Sequence, residues 1–81
     1  MDDTQILENI DRLVAEVHSL QARAQEDDGL EADDAMRLVE LERERDRCWD
    51  LLRQRRAKRD AGLDPDSAEA RDADTVESYR Q

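Results

Sequence analysis

Phenylalanine is absent from this chain of 81 residues, which carries one tryptophan, one tyrosine, one cysteine, one histidine, one proline and two glycines. So few aromatics supply little volume for a large core, and a chain this short buries only a modest fraction of its surface when it folds alone. A second copy or a partner is therefore expected. One cysteine excludes an intramolecular disulfide. With Cys48 and His18 the only soft ligands, a four-coordinate zinc site would need carboxylates or a second chain, and neither residue has a motif neighbour. No metal and no cofactor are expected. No apolar run approaches the roughly 20 residues that cross a bilayer. A basic, apolar secretory segment is also missing, so the expected address is the cytoplasm, with no membrane partner.

Charge is abundant instead. Charged residues make up 44% of the chain and apolar residues 37%, a balance shared by disordered segments and long helices, so periodicity has to decide between them. The net charge of −10 is unevenly spread: −9 over residues 1–34, +3 over 35–61 and −4 over 62–81. A field of that sign repels nucleic acid at long range and favours solubility.

Ile6, Ile10, Leu13, Val17, Leu20 and Ala24 follow alternating spacings of four and three. That is the seam of a helix paired lengthwise with another helix. It predicts helix 1 over about residues 4–25, with Asp2, Asp3 or Thr4 as cap. The run Glu26-Asp27-Asp28-Gly29 breaks the pattern, Leu30 reads as a hydrophobic staple onto Ala35, and Glu31 is a mediocre cap. Leu38, Leu41, Arg45, Cys48, Leu52 and Arg55 then predict helix 2 over about 31–61, roughly 45 Å long at 1.5 Å per residue. A short connection makes the two helices antiparallel, with Leu20 near Leu38, Val17 near Leu41, Ile10 near Cys48 and Ile6 near Leu52. The longer helix 2 is expected to project its last two turns past the start of helix 1, near enough to Asp2, Asp3 and Glu8 for these acids to neutralise part of the basic run there. Gly62 and Pro65 end it. Residues 62–81 form an acidic tail in which Val76 and Tyr79 leave open either a short helix near 74–80 or no fixed structure.

The expected fold is thus all-α, a coiled-coil-like antiparallel hairpin over 1–61 followed by the tail. Leu7 and Val14 lie about 90° from the seam centre of helix 1, and Val39 and Leu51 flank that of helix 2. With Trp49, they are the expected interface of a homodimer that forms a four-helix bundle. Arg45 on the seam conflicts with its position unless its head reaches solvent or a carboxylate such as Glu16 or Asp11.

Candidate partner contacts concentrate at the end of helix 2. Arg53, Arg55, Arg56, Lys58 and Arg59 place five cations in seven residues, close to Trp49. Three readings compete. The cations complement the helix dipole and pair with nearby acids, they meet an acidic protein, or they grip nucleic acid with an affinity that falls steeply with salt. The net charge and the absence of an aromatic within the run count against nucleic acid. Cys48 reads as a small buried apolar residue. Enzymatic chemistry is not expected, because a slender hairpin offers no shielded cleft to shift the pKa of a carboxylate. The small all-helical chorismate mutases are the sharpest enzymatic comparison, but they hold a dicarboxylate with basic residues inside the bundle. Here helix 1 offers only Arg12 and Arg23, both off the seam.

Three stretches carry a resemblance: Ile6-Leu7 with Ile10-Asp11-Arg12-Leu13-Val14, then Cys48-Trp49-Asp50-Leu51-Leu52-Arg53-Gln54-Arg55-Arg56-Ala57, and Gly62, Asp64-Pro65-Asp66 with Val76-Glu77-Ser78-Tyr79. With them the chain resembles, over nearly its whole length, a family of small actinobacterial helical proteins of unknown function. The longer, acidic connection and Arg45 depart from that pattern. The resemblance implies a bacterial cytoplasmic setting and no mechanism. The expected function is that of a non-enzymatic protein-interaction or regulatory protein, with nucleic-acid binding as the alternative.

Overall fold

The computed structural model describes residues 1–26, 29 and 31–79. Its elements are α1 (Asp3–Glu26), α2 (Ala32–Asp60), a 3₁₀ turn (Pro65–Ser67) and α3 (Ala73–Ser78), with no strand among the described residues. The all-α expectation holds, and the two long helices pack against each other along their length.

Asp2 caps α1. The Gln5 amide donates to Asp2 Oδ1 at 2.8 Å and the Asp2 amide donates to Gln5 Oε1 at 3.0 Å, a reciprocal capping box that satisfies two donors left over by the helix start. Glu31 caps α2 in extended backbone without a side-chain hydrogen bond. Its expected staple residue, Leu30, lies outside the described residues. The other end of α2 closes as a Schellman motif. The Leu63 amide donates to the Lys58 carbonyl at 2.7 Å and the Gly62 amide to the Arg59 carbonyl at 3.0 Å. Gly62 sits at φ +74°, where a Cβ would be strained.

The seam is antiparallel and forms two aliphatic clusters. Leu13, Val17, Leu20 and Leu41 make one, with Leu38 and Cys48 packed on it. Ile6, Ile10 and Leu52 make the other, with Val14, Cys48 and Leu51 on its margin. Ion pairs from Glu16 to Arg37 (3.2 Å) and from Arg23 to Asp34 (3.5 Å) lie along the same pairing. Arg45 meets neither Glu16 nor Asp11. It leaves the seam sideways, with Nε 3.6 Å from the carboxylate of its neighbour Asp46.

The tail returns along α2. Asp64 caps the 3₁₀ turn through the Asp66 amide (2.9 Å), with Pro65 at its first position. Asp72 caps α3 through the Thr75 amide (2.8 Å), and that hydrogen bond holds the Asp72 carboxyl below its ordinary value. Both elements pack on α2. Gln54 donates to the Glu69 carbonyl and Arg47 to the Arg71 carbonyl, each at 2.8 Å, and Val76 is buried to 1% exposure. The sequence left a tail helix near 74–80 open against no fixed structure, and α3 occupies 73–78. The molecule measures 51 × 25 × 16 Å, and none of its described helices is long and apolar enough to cross a membrane.

Candidate interaction surface around Trp49

The five cations at the end of α2 separate into two groups. Arg55 turns inward, to 5% exposure. Its Nε donates to Asp3 Oδ1 at 2.6 Å, and its Nη1 donates to Asp66 Oδ1 at 2.9 Å and to the Pro65 carbonyl at 3.2 Å. Arg59 takes the other oxygen of Asp3. The start of α1, the last turns of α2 and the start of the tail are thereby joined through one guanidinium. Arg59 and then Arg55 hold the Asp3 carboxyl below the usual range, and Asp3 and Asp66 push Arg55 up. Asp3 therefore lies alongside the last turns of α2 and neutralises part of their charge. Arg53, Arg56 and Lys58 stay outside this clasp. Arg53 is exposed and 3.9 Å from Asp50, whereas Arg56 is exposed and Lys58 half-buried, neither with an ion pair among the described residues.

Trp49 lies one turn from Arg53 and one turn from Arg45, and is 43% exposed. The three residues border a concavity of about 330 Å³ that is also lined by Asp46 and Val76. Asp46 and Asp50 are buried. Asp50 accepts from Gln54 at 3.1 Å and lies 3.6 Å from Arg71 Nε, while Arg71 stacks 5.4 Å from the centre of the Tyr79 ring. Asp50 is thus met by Gln54 and Arg71, Asp46 lies beside Arg45, and Arg53 is the exposed cation of the concavity. An aromatic face between two guanidinium groups can bind carboxylate and apolar groups together. Among the described residues the lining has no nucleophile beside a base. Cys48 lies on the seam, and burial above all, then Glu44, pushes its thiol up, which keeps it a poor nucleophile. No group of three His, Cys, Asp or Glu among the described residues could hold a metal ion.

The residues expected at a dimer interface fall in two classes. Val14 and Leu51 are partly covered by the Ile6, Ile10, Leu52 cluster. Leu7, Val39 and Trp49 keep large exposed surfaces.

The sequence profile of a family described as "Protein of unknown function (DUF2630)" matches residues 2–81. The chain belongs to this family. Among curated relatives of the DUF2630 protein are an uncharacterized protein of Mycobacterium bovis and one of Mycobacterium tuberculosis, each 46% identical over 77 residues, which is 95% of this chain and 88% of the relative. No solved structure matches. Membership therefore supplies kinship without chemistry.

Sequence spacing places Arg55 on the seam of this DUF2630 chain and Asp3 near the basic run, but does not pair the two or bring in Asp66. Asp3 and Asp66 are 52 and 11 residues away from Arg55, beyond any helical periodicity. The sequence gives little signal that Asp46 and Val76 line the concavity, because the tail carries only two apolar anchors, Val76 and Tyr79. The one signal in the sequence was the Asp64-Pro65-Asp66 turn directly after a helix-ending glycine, which redirects the chain.

Proposed function

We propose that this DUF2630 protein is a non-enzymatic interaction or regulatory protein of the cytoplasm, which acts by presenting the outer side of α2 with Trp49, Arg53 and Arg56 as its main contacts. The observation that supports this reading is a large aromatic side chain, 43% exposed, held between Arg45 and Arg53 at the mouth of a concavity. Tryptophan and arginine are the residues most enriched among the few that dominate binding energy at interfaces. Arg55 and Arg59 are spent on Asp3 and Asp66, so Arg53, Arg56 and Lys58 remain for a partner. The test is affinity capture with the full chain against its Arg53→Glu, Arg56→Glu double variant. The reading expects captured partners to be lost from the double variant. Retention of every partner by it would sink the assignment.

A further inference from the structure

We infer that the groove around Trp49 is filled by α1 of a second copy of this chain, so that two hairpins close each other about a two-fold axis. This rests on the reading that Trp49 and Arg53 form an interaction surface, and it names the occupant.

The two flanks of the hairpin differ. On one, Arg12 and Glu16 of α1 share a depression with Arg37, Glu40 and Glu44 of α2, closed by the Glu16–Arg37 ion pair at 3.2 Å. Val14 follows Arg12 by two residues and Trp49 follows Glu44 by five, turns of about 200° and 140° around their helices, so both belong to the opposite flank. Leu7, seven residues before Val14, falls within about 20° of it. On that second flank α1 raises a ridge, Leu7-Asp11-Val14, with spacings of four and three. Beside it α2 lays the stripe Arg45-Trp49-Arg53, bordered on its far side by Val76 of α3. By helical position the stripe therefore runs between the α1 ridge and Val76 of α3, and it is in this slot that the further helix is placed.

The ridge has an exposed carboxylate and aliphatic side chains, which the Arg45-Trp49-Arg53 stripe itself does not supply. Leu7 is 43% exposed, and Asp11 is exposed with no hydrogen bond or ion pair among the described residues. Set one step along the stripe, so that Asp11 meets Arg53 and an aliphatic residue of the ridge meets Trp49, the ridge complements the stripe. Every copy carries both on one flank, so a two-fold axis that sets the ridge of one copy in the slot of its partner repeats the contact in reverse, which closes the assembly at two chains. The net charge of −10 opposes approach of two copies. That opposition is screened over about 8 Å at physiological salt, whereas an Asp11–Arg53 pair in contact at a partly buried interface is screened much less.

The experiment is light scattering on the full chain across a dilution series, with Trp49 fluorescence followed in the same samples, for the parent, Asp11→Arg, Arg53→Asp and the combined variant. The parent is expected to have twice the mass of the 9.4 kDa chain, with a shielded indole that becomes exposed on dilution. Each single reversal is expected to raise the dissociation constant at least about tenfold. The combined variant, which restores the pair with its signs exchanged, is expected to return it to within about threefold of the parent. Asp11 and Arg53 are both exposed, and circular dichroism of each variant checks that the helices persist. A parent that stays monomeric at about 1 mM overturns the inference. If the Arg53→Glu, Arg56→Glu variant still loses a captured partner in that case, the interaction reading stands and only the choice of a second copy falls. A dimer indifferent to both reversals also overturns it, because the copies would then meet through another face.

Discussion

Helix α2 has two working faces, and they are built differently. Toward α1 it offers Leu41, Cys48 and Leu52 to an aliphatic seam of Ile6, Ile10, Leu13 and Val17. About half a turn around, toward the tail, it offers Arg47, Asp50 and Gln54, which meet the Arg71 carbonyl, the Arg71 guanidinium and the Glu69 carbonyl, with Val76 as the buried apolar anchor nearby. Each fully buried aliphatic side chain on the first face stabilises by about 1.5–3 kcal/mol, and several act together. A hydrogen bond on the second contributes only about 0.5–1.5 kcal/mol net. The six-residue α3 is also far too short to hold helical form unaided. The first face makes the hairpin, and the second docks a segment that has to be specified contact by contact. Such a segment belongs to the low-stability end of a molecule, where local opening precedes global unfolding.

The largest test of that contrast is on the seam. Leu41→Ala is expected to cost about 2–5 kcal/mol, read as a lower urea midpoint for the whole helical signal. A loss confined to the tail would erase the distinction between the faces. Next comes Arg55→Ala, which releases the start of α1 and the tail together. The melting temperature is expected to fall on the order of 10 °C, with faster amide exchange both near Asp3 and near Asp66. Changes in only one of those segments would show that the guanidinium does not couple them. Val76→Ala should be gentler, about 1–2 kcal/mol from the lost methyl groups. It should appear as faster exchange across residues 73–78, while the urea midpoint of the long helices barely moves.

Acid titration sharpens the comparison further. Arg59 and Arg55 hold the Asp3 carboxyl below 3.8 in the folded chain, so the unfolded chain takes up the proton first as pH falls. The stability from Asp3 is therefore whole above about pH 3.8 and is lost as pH falls through the depressed folded value. Asp3→Asn should flatten the stability curve below pH 4, while the Asp3 carboxyl signal in a parent NMR titration moves only at lower pH. A midpoint at or above 3.8 would mean that the clasp does not form in solution. The smallest effect is expected from Asp72→Ala, which removes the cap of α3 and should speed exchange at Thr75 without changing the seam.

Much of the hairpin is legible in the residue spacing alone. The alternating spacings from Ile6 to Leu20 and from Leu38 to Leu52 identify the seam, and the pairs Val17–Leu41 and Ile6–Leu52 share clusters in the fold. The helix stop at Gly62 is readable because a Schellman motif needs a residue at positive φ. Arg55 is half legible. Its seam position is visible, but its purpose is not, since a guanidinium on a seam has the same spacing signature whether it escapes to solvent or is gripped by carboxylates. The return of the tail is barely legible, because the two buried acids it covers look like solvated charges in a sequence where charged residues make up 44%.

By itself the sequence determined two long helices, their antiparallel pairing and the acidic–basic–acidic order of charge along the chain. Those features follow from short-range rules, namely helical periodicity, end-capping residues and a connection too short for any other arrangement. Only the tertiary structure decided that Asp3 and Asp66 take Arg55 out of the basic run, that the tail wraps α2, and that Trp49 borders a concavity between Arg45 and Arg53. Polar contacts between distant residues leave no period in a sequence, because their partners are selected by geometry in space and not by spacing along the chain.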